Sequence, residues 1–225
     1  MGGLRQWRGA AVVVAIGVFG GTFDPVHIGH LRAAIELRDS LRLDTLRLMP
    51  SADPVHRQAP EAGAEHRLAM LRLAVANEPA LVADDLEIRR GGATYTIDTL
   101  EQLRSTLGDD QPLLLCIGMD SLASLDSWKH WQSLTDLAHI VVAGRPGWQP
   151  PAQGALAEWV GRHRVDAVGD LNTRPAGCLY FADIPLLPVS STGIRDDLRA
   201  GRSVRYLTPD AVIDYIHDYH LYGTR

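Results

Sequence analysis

The most constraining stretch of the chain is an apolar run, Ala11 to Phe19, that passes directly into Gly20-Gly21-Thr22-Phe23-Asp24-Pro25-Val26-His27-Ile28-Gly29-His30. After His30 the apolar residues fall at helical spacing, with Leu31, Ala34, Ile35 and Leu41 on one side. The segment predicts a buried strand, a glycine turn and a helix start. Such a junction gathers backbone N–H groups and the positive end of a helix dipole, a setting that suits an anionic phosphate.

The rest of the chain repeats this alternation. Strands are expected over Thr45–Met49, Leu81–Ile88, Leu113–Ile117, His139–Ala143, Val165–Asp170 and Cys178–Ile184. Helices are expected over Glu65–Ala76, from Thr96 onward with Thr96 as the cap, over Ala152–Gly161, from the Ser190-Ser191-Thr192 start to near Gly201, and after Thr208-Pro209 with the proline in first helical position. Arg89-Arg90-Gly91-Gly92 reads as a turn, and Ser51 to Ala64 as a polar loop. Strands alternating with helices of 10–15 residues indicate an α/β fold: a doubly wound, mostly parallel sheet with helices on both faces. A single domain over residues 12–225 behind a flexible N-terminal extension, residues 1–11, accounts for the length.

Composition narrows the function classes. Hydrophobic content of 46% with 22% charged residues is ordinary for a globular protein that can bury a core. The net charge of −5 and the absence of a long Lys/Arg block argue against a nucleic-acid partner. Cys116 and Cys178 each sit in an apolar run and read as reduced core thiols. Arg5 and Arg8 ahead of the first apolar run resemble the start of a secretory signal. Cleavage there would cut into the glycine turn, and the run is too short to span a membrane. A cytoplasmic protein with no membrane partner is the expectation.

The eleven residues from Gly20 to His30 resemble the signature of the nucleotidylyltransferase superfamily, and within it the bacterial nicotinate-nucleotide adenylyltransferase family. Four further segments match that family in order, so the resemblance runs from about Val14 to Tyr222. Pro54-Val55-His56-Arg57 resembles its Pro-Pro-His-(Arg/Lys) loop, and Ala93-Thr94-Tyr95-Thr96 its Ser-Tyr-Thr segment. Gly118-Met119-Asp120-Ser121-Leu122 with Trp128 resembles its Gly-x-Asp-Ser-Leu…Trp block, and Val189 to Arg195 its Ile-Ser-Ser-Thr-x-Ile-Arg. The resemblance implies a Rossmann-like core and transfer of AMP from ATP to nicotinate mononucleotide, with Mg²⁺ carried on the ATP phosphates. A departure is Val55, which stands where the family has its second proline, and Ser51-Ala52 replace residues that are commonly amides.

In such a reaction the acceptor's own phosphate attacks, so the protein has only to position two anions and stabilise charge on the phosphoryl oxygens. His27, His30 and Thr22 can donate hydrogen bonds to those oxygens, and Arg195 can add charge; these four form the catalytic set. Gly20, Gly21, Thr22, His27, His30, Gly118, Asp120, Ser191, Thr192 and Arg195 are the ATP-binding candidates. Asp120, at a strand's carboxyl end, suits ribose hydroxyls. Ser191, Thr192 and Arg195 form a second helix-start anion site. His56, Arg57, Tyr95, Thr96, Trp128 and Arg145 are the candidates for nicotinate mononucleotide, with Trp128 stacking on the pyridine ring. Asp24 and Pro25 shape the turn. The histidine pair has no third ligand nearby, so no protein-held metal is expected.

The alternatives within the same chemistry are nicotinamide mononucleotide or phosphopantetheine as acceptor. From another class, a class I synthetase-like tRNA-binding fragment would require a Lys-Met-Ser-Lys-Ser-like loop and a basic domain, and neither is in the sequence. A non-catalytic nucleotide sensor would need binding groups alone.

Overall fold

The computed structural model describes residues 15–54, 59–144 and 151–224. In chain order these form β1 (Ile16–Gly21), α1 (Ile28–Leu41), β2 (Leu46–Pro50), β3 (Asp53–Pro54), α2 (Ala64–Val75), β4 (Leu81–Ala83), α3 (Leu86–Arg90), β5 (Ala93–Thr94) and α4 (Thr96–Leu107). There follow β6 (Leu113–Gly118), α5 (Met119–Ala123), α6 (Leu134–Leu137), β7 (His139–Gly144), α7 (Gly154–His163), β8 (Arg164–Val165), β9 (Leu179–Asp183), α8 (Ser191–Arg199) and α9 (Asp210–Asp218).

Among the described residues seven strands form one sheet in the order β4-β2-β1-β6-β7-β9-β8, and every pairing in it is parallel. The expected doubly wound architecture is therefore present. The chain runs outward from β1 through β2 to β4, then returns to build the other arm from β6. Ligands in open sheets of this kind bind at that reversal, beyond the carboxyl ends of the two central strands. Here those ends are Gly20-Gly21 and Gly118.

Side chains on a strand alternate between faces, and β6 shows the result. Leu114 and Cys116 join a core with Phe23, Leu37, Leu48, Leu71 and Ile216. Leu113, Leu115 and Ile117 join the opposite core with Ile97, Leu100, Leu103 and Trp159. Burial on both faces explains why the central strands read as unbroken apolar runs.

Five local expectations are corrected. The strand expected over Leu81–Ile88 stops at Ala83, because Asp84 Oδ1 accepts the Leu86 N–H at 3.0 Å and turns the chain into α3, where Arg89 pairs with Asp85 four residues earlier. Arg89 and Arg90 thus end a helix, and the turn is confined to Gly91 and Gly92, both at positive φ. Of Val165–Asp170 only Val165 lies in a strand, and a 3₁₀ turn takes over at Val168. Thr96 is the first residue of α4, and Tyr95 holds the cap position without a side-chain bond. Pro209 is itself the cap of α9, which frees the Thr208 hydroxyl to donate to the Val26 carbonyl at 2.8 Å. The proposed extension, residues 1–11, lies outside the described residues.

Arg104 ties the α4 arm to the sheet. It falls on the buried stripe of α4 and donates to the carbonyls of Leu137 (2.6 Å), Gly108 (3.2 Å), Gln111 (2.5 Å) and Pro175 (2.7 Å). Arg104→Met removes four charged hydrogen bonds to carbonyls, of which Pro175 O keeps the Leu113 N–H as a donor, and should cost on the order of 3 kcal/mol in urea unfolding. The carboxyl ends of the central strands, at the opposite end of α4, should keep their structure.

Candidate active site

The residues after β1 do not form a glycine turn. Gly20 and Gly21 complete the strand, pairing with Met49 and Pro50, and the reversal falls on Thr22 to Val26. Phe23 takes a left-handed backbone (φ 52°) and buries its ring against Phe19 and His30. Gly21 is required because a Cβ there would stand 2.9 Å from the Phe23 ring. Asp24, joined to Pro25 by a cis peptide, has its buried carboxylate accept from Glu61 N–H (2.8 Å), Ala62 N–H (3.1 Å) and Tyr222 Oη (2.7 Å). It shapes the turn, as expected.

Four of the five carbonyls of this turn are occupied by side chains from elsewhere. Arg67 Nη1 donates to Thr22 O (2.8 Å), Arg195 Nη1 to Asp24 O (2.6 Å), Ser191 Oγ to Pro25 O (3.0 Å) and Thr208 Oγ1 to Val26 O. Arg67 also donates to Ala62 O and Ala52 O, fixing the neighbouring loop.

His27 caps α1. Its Nδ1 accepts the His30 N–H and the His30 Nδ1 accepts the His27 N–H, both at 3.3 Å, a reciprocal capping box made of two imidazoles. The rings stack with centroids 3.7 Å apart. Gly29 is what allows this, since a Cβ there would lie 2.9 Å from His27 Nδ1. With each Nδ1 accepting, the proton of each neutral ring resides on Nε2. Burial pushes the His27 pKa down to about 4, so this ring is neutral at physiological pH.

The second helix start lies alongside. Ser190 caps α8 by accepting Gly193 N–H at 3.1 Å, while Ser191 reaches Pro25. A cavity of about 400 Å³ brings together His27, His30, Gly118, Asp120, Ser190 and Ser191. A Cβ at Gly118 would lie 2.6 Å from Asp120 Oδ1, so glycine there lets the Asp120 carboxylate keep its position. Thr192 and Arg195 are outside that lining. Arg195 donates to Glu61 Oε1 (2.8 Å) and contacts Thr192 Oγ1 (3.4 Å); Arg199 also pairs with Glu61. Those arginines, Arg199 foremost, hold the Glu61 carboxyl below its usual range.

On the other side of the β1 end, a narrower cavity of about 150 Å³ is lined by Gly20, Gly21, Thr22, Ser51, Glu87, Tyr95, Thr96, Thr99, Trp128 and Lys129. Gly20, Gly21 and Thr22 thus stand with the aromatic residues rather than with the histidines. Among the described residues nothing lies within 4 Å of where a Gly20 Cβ would be, so its missing side chain is open space. The buried Ser51 Oγ has no hydrogen-bond partner among them, as suits a wall that awaits a ligand. Lys129 sits 4.7 Å above the Tyr95 ring and pairs with Asp98. His56, Arg57 and Arg145 lie outside the described residues.

Comparison with known proteins decides the family. A cytidylyltransferase-like family model matches residues 18–197. A probable nicotinate-nucleotide adenylyltransferase of Marinobacter nauticus is 48% identical over 208 residues, covering 92% of this chain and 96% of that one. One of Aeromonas salmonicida is 48% identical with the same coverage. The chain belongs to the nicotinate-nucleotide adenylyltransferase family. The fold agrees: a Plasmodium falciparum nicotinic acid mononucleotide adenylyltransferase complexed with NaAD superposes with a TM-score of 0.70 at 18% identity, covering 94% of this chain and 98% of that one.

Sequence reasoning missed Arg67, Glu61, Glu87, Thr208 and Tyr222. Arg67 left one signal, since it lies four residues before Leu71 on the apolar stripe of α2, where a charge has to be bonded internally. Glu87 left none, because its segment reads as strand. The capping geometry makes a spectroscopic prediction. At pH 5.5, where an exposed imidazole is mostly protonated, ring-nitrogen NMR should show His27 neutral with its proton on Nε2; a cationic His27 at that pH would contradict the buried cap.

Proposed function

We propose that the protein transfers AMP from ATP to nicotinate mononucleotide, giving deamido-NAD and pyrophosphate. The observation that carries the reading is the shared cavity at the β1/β6 reversal, where two stacked neutral histidines at one helix start face a second helix start. An acceptor phosphate oxygen forms a bond to the α-phosphorus of ATP. The bond from that phosphorus to the β-bridging oxygen breaks, and its electron pair leaves with pyrophosphate. No protein nucleophile is required.

In this reading His27 and His30 donate from Nε2 to the α-phosphate as charge develops there. Neutral donors serve because four of the turn's five carbonyls, which would repel an anion, are engaged elsewhere. Asp120 takes ribose hydroxyls, and Ser191, Thr192 and Arg195 take the outer phosphates. Arg195 then exchanges Glu61 for polyphosphate, a stronger anion. Among the described residues no group of three His, Cys, Asp or Glu side chains converges as a metal cage. The chemistry of the reaction fits Mg²⁺ held by phosphate oxygens and water, where it neutralises their charge.

Tyr95, Thr96 and Trp128 form the pyridine site, and Thr22, Gly20 and Gly21 its wall toward the reacting phosphate. An aromatic-lined cavity favours a flat ring over the flexible chain of phosphopantetheine. His56, Arg57 and Arg145 are assigned to the acceptor phosphate by their motifs alone. A cytoplasmic location belongs to the same proposal: both cysteines are buried free thiols, and no helix among the described residues is long and apolar enough to cross a membrane.

Pyrophosphate release tests the reading. The purified protein with ATP should turn over nicotinate mononucleotide faster than nicotinamide mononucleotide, and phosphopantetheine least. His30→Ala should lower kcat at least about 100-fold while the thermal melt stays cooperative. Unchanged turnover in that variant removes His30 from the mechanism. Trp128→Ala should raise the acceptor KM about tenfold or more through lost stacking, with little change in the KM for ATP.

A further inference from the structure

The narrower cavity carries a group that the transfer reaction does not call for. Glu87, 8% exposed, stands in its wall, and its Oε1 accepts a 2.7 Å hydrogen bond from Thr99 Oγ1. Thr99 Oγ1 in turn accepts from Arg90 Nη2 at 2.8 Å and lies 3.3 Å from the Tyr95 carbonyl. A polar chain therefore runs from Arg90 through Thr99 to the cavity wall, and touches the residue that opens α4.

The charged groups that face Glu87 come from several elements. Arg90 belongs to its own helix, Arg67 comes from α2, and Asp84 precedes α3; Lys129 lines the same cavity from beyond Trp128. Burial outweighs the Thr99 bond and the two arginines, and the carboxyl is pushed up to about 7. Its charge therefore changes near neutrality.

We propose that Glu87 is a specificity-determining residue for the acceptor, its charge setting how strongly the cavity prefers a ring bearing a carboxylate to one bearing a carboxamide. The proposal rests on the assignment of this cavity to the pyridine ring. When Glu87 is ionised, a negative charge in the wall of a small cavity opposes the substrate carboxylate. When it is neutral that opposition is gone, and the Thr99 hydroxyl can turn its hydrogen to the Tyr95 carbonyl. A carboxamide has no charge to oppose. The pyridinium charge and the ribose-linked phosphate are common to both acceptors, so their effects cancel in the ratio. Since the neutral form lies below pH 7, the acid-over-amide preference is full there and declines as pH rises.

The test compares nicotinate and nicotinamide mononucleotides with ATP between pH 5.5 and 8.5, reading kcat/KM by pyrophosphate release. The wild-type acid-to-amide ratio should fall about tenfold with a midpoint near 7. Glu87→Gln, which is neutral throughout, should hold the low-pH ratio at every pH. A flat ratio in the wild type, or the same slope in the variant, overturns the proposal. If Glu87→Gln does not fold, Thr99→Val serves: loss of the hydroxyl that favours the ionised form should move the midpoint to higher pH, and an unmoved midpoint counts against the idea. Absence of pyrophosphate release with every acceptor would overturn the reaction assignment instead. The ratio of the two mononucleotide Kd values, from tryptophan fluorescence, would then still decide the role of Glu87.

Discussion

The carbonyl oxygens of a backbone turn repel an approaching anion, and this protein engages four of the five in the turn after β1 by hydrogen bonding. Four carbonyls between Thr22 and Val26 accept from Arg67, Arg195, Ser191 and Thr208. At about 1 kcal/mol for a neutral donor, and up to about 3 for a charged one, the set outweighs any local preference of the sequence for another turn. The donors come from positions spread over more than half the chain. This end of β1 is therefore a product of the tertiary fold: without α8 and the segment before α9, three of those four carbonyls would lose their donors. Asp24 extends the same logic inward, fastening the turn to Glu61, Ala62 and Tyr222.

The His-x-Gly-His spacing follows from capping geometry. His27 at the cap and His30 three residues on can each satisfy the other's backbone N–H, and the stacked rings leave room at the intervening position for glycine alone. A conventional Ser…Glu capping box would satisfy the same backbone groups, but Glu would put negative charge where the proposed reaction needs donors. Protonated histidines would attract phosphate more strongly. Burial opposes that by roughly 3 kcal/mol for His27, from the fall of its pKa from 6.5 to about 4. Two neutral donors fixed by their Nδ1 atoms are what remains, and they need no reorganisation when charge develops in front of them.

The strand–helix alternation, both helix starts and the residues that line the aromatic cavity were legible from Gly20–His30, Tyr95-Thr96, Gly118–Trp128 and Ser190–Arg195, because each combines a local signal with an end-of-strand position. The misread pieces fail for definable reasons. Gly20 and Gly21 suggest a turn but are strand residues, since a side chain at Gly21 would strike the Phe23 ring and one at Gly20 would fill the cavity. Leu86 to Ile88 has a strand's composition, yet the Asp84 side chain bonds to the Leu86 N–H and starts a helix. The buried charges were invisible as a site because their partners are backbone carbonyls. Arg67 and Arg104 show the residual signal: an arginine on an apolar stripe indicates that main-chain oxygens from another element converge there.

The end of β1 belongs to both cavities at once. Gly20, Gly21 and Thr22 line the aromatic one, and His27 and His30, a few residues later, line the other. In the proposed transfer, the acceptor phosphate must leave the first cavity's edge and meet the α-phosphorus held in the second. The partition between them is thus the reaction coordinate's own neighbourhood, and a shift of the turn by a fraction of an ångström would move one wall of each site in opposite senses. Positioning errors of about 1 Å cost about 100-fold in such reactions. That sensitivity accounts for why the turn is tied at four carbonyls and at one buried carboxylate. It also accounts for the position of Glu87. A titrating group in the outer wall, carried by α3 and coupled to α4, can adjust which ring binds without pulling on the partition where phosphorus changes hands.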